Sequence, residues 1–143
     1  MAEYHFKYAS SLDSEDQMLD DLQSVLELHE IAGGRAWRLQ LIVSEAFTNA
    51  LLHGNASDPK RLVRLTVRVN ESEIIADITD EGAGGLDRIA HRLNSGDPLA
   101  ESGRGINFME RYADRVEYRE SPTGGLVVSL AVRLNEKTQT AKS

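Results

Sequence analysis

Tyr4, Phe6 and Tyr8 alternate with His5 and Lys7, the two-residue period of a short strand with one buried face. Asp13 or Ser14, followed by Glu15 and Asp16, predicts a helix start, because side-chain oxygens accept orphan amide protons there and acidic groups suit the positive end of the helix dipole. Leu19, Leu22, Val25, Leu26 and Leu28 then recur at helical spacing, and Gly33-Gly34 is the expected close of this amphipathic helix. A second helix is expected from about Arg35 to His53. Ten of the sixteen residues from Trp37 to Leu52 are apolar, too many for one face of a surface helix, so this helix is expected to be central and largely buried. Gly54-Asn55-Ala56-Ser57-Asp58-Pro59 is turn chemistry and ends it.

Leu65, Val67 and Val69 alternate with polar neighbours, as do Ile74, Ala76 and Ile78, and Asn70-Glu71-Ser72 between them predicts a hairpin. From Asp80 to Gly105 the glycines at 82, 84, 85, 96, 103 and 105, with Pro98, leave room for little more than a short helix over Leu86 to Leu93, so the segment is expected to be a functional lid. A helix over Ile106, Phe108, Met109 and Tyr112, a strand from Arg115 to Glu120, a turn at Ser121-Pro122-Thr123-Gly124-Gly125 and a last strand from Leu126 to Leu134 complete the chain, the last with its even-numbered face in the core. Hairpin-linked strand pairs and three separate helices predict an α+β, two-layer sandwich: a mostly antiparallel, mixed sheet with helices on one face.

The 143 residues suit one domain, expected over 1–134 with a frayed polar tail over 135–143. With 41% hydrophobic and 27% charged residues the chain can bury a core, and it contains no cysteine, which excludes a disulfide scaffold, thiolate catalysis and a cysteine-built zinc site. The amino terminus lacks the basic stretch and apolar run of a secretory signal, so a cytoplasmic protein that avoids membranes is expected. A net charge of −7 argues against direct nucleic-acid binding, which rests on a clustered basic face.

Three polar clusters interrupt this pattern. Glu45, Asn49 and His53 are spaced by four, so a carboxylate, an amide and an imidazole share one stripe of the second helix. Asp80-Glu81-Gly82-Ala83-Gly84-Gly85 follows a strand, where an aspartate can accept from an exocyclic amine and glycines let backbone approach a ligand closely. Gly103-Arg104-Gly105 opens the helix of Ile106, and a glycine-rich loop feeding a helix amino terminus is an anion site. Each has a bland alternative: a capping amide, a paired carboxylate or a histidine at a helix end; a plain Asp-Glu-Gly turn; a loop with unusual torsions.

Their order resembles the GHKL (Bergerat) nucleotide-binding fold. Val43-Ser-Glu-Ala-Phe-Thr-Asn-Ala-Leu-Leu-His53 looks like the N box of the small anti-sigma-factor serine kinases, Asp80-Glu-Gly-Ala-Gly84 is similar to their first glycine box, and Gly103-Arg-Gly-Ile-Asn-Phe-Met-Glu110 to their second. Tyr112-Ala-Asp114 and Val116 continue the likeness, which covers residues 10 to 134. The resemblance implies ATP with Mg2+, the magnesium held by Asn49, since a hard cation takes oxygen ligands and keeps several waters. It further implies nucleotide contacts from His53 and Ile106, adenine read by Asp80, close passage of the chain at Gly82 and Gly84, and phosphates seated by Gly103 and Gly105. Glu45 is the expected general base toward a serine or threonine hydroxyl. To these the residue chemistry adds Arg104 as a second expected catalytic group, a guanidinium neutralising charge on the transferring phosphoryl. Members often carry a hydroxyl residue soon after the last turn's glycine. Here Leu126, Val127 and Val128 follow Gly125, and Ser129 comes late.

The resemblance therefore implies an ATP-dependent serine/threonine kinase and anti-sigma factor that phosphorylates a STAS-type anti-anti-sigma partner and sequesters a sigma factor. A homodimer is expected, with the helix from Ser14 to Ile31 and the first strand as the contact to a second copy or a partner. His5, His29, His53 and His91 stand in no phosphorylatable helical hairpin, which sets the chain apart from histidine kinases. The alternative is an ATP-binding module that sequesters its partner without phosphoryl transfer; retention of Glu45 beside Asn49 argues against it.

Overall fold

The computed structural model describes residues 1–87, 89–90 and 109–134. Five strands form one sheet: β1 (Ala2–Ala9), β2 (Leu62–Val69), β3 (Glu73–Thr79), β4 (Arg115–Glu120) and β5 (Leu126–Arg133). Their order is β1-β2-β3-β5-β4, and every pairing is antiparallel, so the described sheet has no parallel pair. Two helices, α1 (Ser14–Leu28) and α2 (Gly33–Asn49), lie on one face.

The expected faces are the ones observed. Tyr8 of β1, the odd positions of β2 from Val63 to Val69, and the even positions of β3 and β5 turn into one apolar core with Met18, Leu22 and Leu26 of α1 and Leu39, Ile42 and Phe47 of α2. Between β2 and β3, the Oδ1 of Asn70 accepts from the amides of Ser72 and Glu73 at 2.7 and 2.9 Å, which closes the hairpin. At the second hairpin the Ser121 amide donates to the Gly125 carbonyl at 2.7 Å, and Gly124 takes a φ of +96° that a side chain would resist.

The helix boundaries depart from expectation. Asp13 makes no side-chain cap; its own amide donates instead to the Ser11 hydroxyl at 3.2 Å. The Gly33-Gly34 pair opens α2 rather than closing α1. Glu30, in the left-handed region at φ 56°, turns the chain, with the Glu30 amide on the Glu27 carbonyl and the Ile31 amide on the Leu26 carbonyl. This is the paired-bond ending usually built on glycine. Ile31 packs against the core beside it.

Burial departs too. Trp37 on α2 and Leu52 in the turn after it, counted above toward a buried second helix, are 57% and 42% exposed, so α2 buries one stripe, Ala36, Leu39, Ile42, Val43, Ala46 and Phe47, rather than its whole surface. On β5 the odd positions Val127, Ser129 and Ala131 are buried as well as the even ones. The strand lies inside the sheet between β3 and β4, and longer side chains from its neighbours overlie these small residues. One such group is Asp77 on β3, whose Oδ2 accepts from Arg68 of β2 at 2.9 Å and Arg119 of β4 at 3.3 Å. The expected short helix over 86–93, the start of the helix at Ile106, and the tail 135–143 lie wholly or partly outside the described residues; helical backbone is seen at 85–87, 89–90 and 109–112.

Candidate nucleotide site

The site begins where α2 changes its winding. After Asn49 the chain continues into a π-helical turn, Ala50–Gly54, closed by the Asn55 amide on the Ala50 carbonyl at 2.8 Å. Single π turns inserted in α-helices are rare and frequently occur at functional sites. Here the wider turn carries His53 and Gly54 past the end of the regular helix and toward the end of β3. The even spacing that sequence reading assigned to Glu45, Asn49 and His53 holds from Glu45 to Asn49 and then loosens.

Asp80 leaves β3 almost wholly buried, 2% exposed. Its amide donates to the Leu126 carbonyl at 3.1 Å, and its Oδ1 accepts from the amides of Gly82 at 3.0 Å and Leu126 at 3.1 Å. Oδ1 is thus committed, while no bond among the described residues uses Oδ2. Three glycines make this geometry possible. A Cβ on Gly54 would come within 2.0 Å of Asp80 Oδ2, one on Gly82 within 1.8 Å of the Gly54 carbonyl oxygen, and one on Gly125 within 1.9 Å of the Asp80 carbonyl oxygen.

Beside this knot lies a narrow cleft of about 20 Å3. Asn49, His53 and Asp80 supply its polar border, and Ile78, Met109, Leu126 and Val128 are among its apolar walls. A slot with apolar sides and a fixed carboxylate is suited to a flat heterocycle that presents an amine. The residues present suit the adenine end of a nucleotide in their chemistry: a carboxylate oxygen that makes no bond among the described residues, and backbone brought close by glycines. For magnesium the described residues hold no group of three acidic or imidazole ligands, so Asn49 could contribute one oxygen beside phosphate and water.

Glu45 is partly exposed on α2, about 6 Å before Asn49 along the axis. It is not among the residues that line the cleft, and the side chains of Glu45 and Asn49 make no hydrogen bond among the described residues. Gly82 is buried in the knot, whereas Gly84 is exposed at φ +71° with open space around it. Gly103, Arg104, Gly105 and Ile106 lie outside the described residues. Ser129 occupies the opposite face of β5 from Leu126 and Val128, paired with Asp77 and Glu117, so it stands away from the cleft. Sequence reading missed Gly54, Gly125 and Asn55, which it took as turn residues; their importance comes from contacts with residue 80 or 81, which no local signal reveals.

Residues 8–131 match the family model of the histidine kinase-like ATPase domain. The anti-sigma F factor of Bacillus cytotoxicus is 34% identical over 100 residues, covering 68% of this chain and 68% of that protein. The chain belongs to the histidine kinase-like ATPase family, on the branch of the anti-sigma F factors. The anti-sigma F factor of Pasteuria penetrans is 32% identical over 108 residues, covering 72% of this chain and 71% of its own. A solved structure of the RsbU and RsbW domains of Rv1364c from Mycobacterium tuberculosis superposes with a TM-score of 0.65 at 17% identity, over 93% of this chain and 32% of that one. That likeness concerns the fold, and it is the GHKL ATPase fold that the sequence motifs suggested. No helix of the described residues is long and apolar enough to cross a membrane.

Proposed function

We propose that this chain is an ATP-dependent serine/threonine protein kinase acting as an anti-sigma factor, which phosphorylates a STAS-type anti-anti-sigma partner and sequesters a sigma factor. The observation that carries the reading is that Asn49 and His53, from α2 and its π turn, and Asp80, directly after β3, border the same cleft, segments that sequence reading linked only by motif order. In this reading residues 1–134 are one ATPase domain followed by a tail over 135–143, working in the cytoplasm as a homodimer.

Asp80 Oδ2 accepts from the adenine amine while Oδ1 stays locked to backbone amides. Asn49 offers its amide oxygen to magnesium, and His53 stands beside it at the mouth. Bound ATP with magnesium supplies the γ-phosphoryl group in a charge-neutralised form. Glu45, partly exposed and one turn from Asn49, takes the proton of the incoming hydroxyl. Gly84 gives the loop freedom beside the base, and Gly103, Arg104, Gly105 and Ile106 serve the phosphate end.

Incubation with γ-labelled ATP, magnesium and a STAS-domain protein tests this. Label transferred to a serine or threonine, and lost in Glu45→Ala, is the expected result; tight ATP binding without transfer would favour a purely sequestering module. In titrations with ATP and magnesium, Asn49→Ala is expected to lose the magnesium dependence and Asp80→Asn the preference for adenine over guanine.

A further inference from the structure

Asn55 has no part in the chemistry above, yet it is wholly buried and each of its polar groups is used. Its amide closes the π turn on the Ala50 carbonyl. Its Nδ2 donates to the Ser10 hydroxyl at 2.8 Å and to the Leu62 carbonyl at 3.0 Å. Its Oδ1 accepts from the Glu81 amide at 2.7 Å. The Glu81 carboxylate answers by accepting from the Leu62 amide at 2.6 Å. One side chain thereby joins the end of α2, the β1–α1 connection, the first residue of β2 and the loop after β3.

The position of these bonds gives them consequence. Three consecutive amides in that loop are held: Asp80 by the Leu126 carbonyl, Gly82 by the Asp80 carboxylate, and Glu81, between them, by Asn55. Asn55 is the one of the three partners that comes from the helix side of the cleft, where Asn49 and His53 stand. The site requires one side chain that donates twice and accepts once without a charge, because a buried charge would need its own compensation. Asparagine meets that demand.

We propose that Asn55 is a positioning residue that sets the separation between the Asn49–His53 end and the Asp80 end of the cleft, and so matches the cleft to one ligand spanning both. The proposal rests on the reading of the cleft as a nucleotide site. Outer partners that hold a binding group in place commonly change affinity by about one order of magnitude when removed.

The test compares three variants of the full chain by melting temperature, by ATP–magnesium titration and by hydrogen exchange at the Glu81 amide. Asn55→Ala removes the acceptor facing Glu81. Asn55→Asp retains an oxygen there and loses the two Nδ2 donations. Ser10→Ala removes one buried partner of Asn55 while leaving the Glu81 bond intact. All three are expected to melt lower than the parent. ATP affinity is expected to follow Glu81 protection instead: weakened about tenfold in Asn55→Ala, with fast exchange, and kept within about twofold in the other two. Should Asn55→Ala fail to fold, Ser10→Ala carries the test, since retained Glu81 protection with lost ATP binding would overturn the role. So would affinities that fall in step with melting temperature, or an Asn55→Ala that binds ATP like the parent. A parent chain that binds no ATP would overturn the reading of the cleft itself.

Discussion

Gly54 and Asp80, 26 positions apart, meet so closely that a single methyl group on the glycine would lie 2.0 Å from the carboxylate oxygen Oδ2 and 2.4 Å from its carbon. The carboxylate cannot simply swing away, because its Oδ1 is bonded to two backbone amides. Gly54→Ala is therefore expected to displace the carboxylate proposed to read the base. Overpacking of this kind costs about 1–3 kcal/mol, so the variant should fold, melt lower and bind ATP more weakly, as melting curves and ATP titration would reveal.

The neighbouring glycines grade the same effect. At Gly82 and Gly125 the obstacle to a Cβ is backbone, at 1.8 and 1.9 Å, which has no rotamer to yield. Alanine at either position is expected to cost more than at Gly54. Gly84 has nothing within 4 Å and a φ of +71°, so Gly84→Ala should cost only the left-handed strain of about 1–2 kcal/mol. Denaturant midpoints for the four variants should rank Gly84→Ala the mildest.

On the far face of the sheet, Asp77 is buried and shared by Arg68 and Arg119. Either arginine alone still compensates the charge. Arg68→Met and Arg119→Met, which keep most of the stem packing, are each expected to be mild, while the double variant leaves the carboxylate uncompensated at a cost of about 3–5 kcal/mol. A double-mutant cycle on unfolding free energies should show this as strong non-additivity, and simple additivity would refute the shared-charge account.

Tyr8 provides a pH dependence. Burial above all, then the hydrogen bond to Asp21 at 2.6 Å and that group's negative charge, raise the Tyr8 hydroxyl above its ordinary pKa of 10.0. A raised value in the folded state means the stabilisation is complete below the unfolded value and fades as pH climbs past it. Tyr8→Phe should lose about 1 kcal/mol at neutral pH and show a flatter fall in stability above about pH 10 than the parent. Chemical denaturation at pH 8 and pH 10.5 would measure both.

Much of this molecule was legible along the chain because its strands are half-buried and its hairpins short. The alternation in β2, β3 and β5 named the core face correctly, and Asn70 and Gly124 marked real turns. The close of α1 was misread because the left-handed position is taken by Glu30, a residue without the backbone freedom that signals such a turn, while two true glycines sit three residues on. Asn49, His53 and Asp80 were singled out by residue type and spacing, and they border one cleft. Asn55 and Gly54 were not, since the same letters make an ordinary turn.

The linear order of residues determined what can be decided by neighbours: periodicity, turn chemistry, the charge balance and the three polar motifs that pointed to the family. Folding in three dimensions decided the rest. It placed β5 between β3 and β4, which buried both faces of that strand, and it widened α2 into a π turn that brings Gly54 and Asn55 against the loop of Asp80. Local preferences act over a few residues, whereas van der Waals exclusion between residues 54 and 80, or one amide shared by four segments, exists only once distant stretches have been packed together.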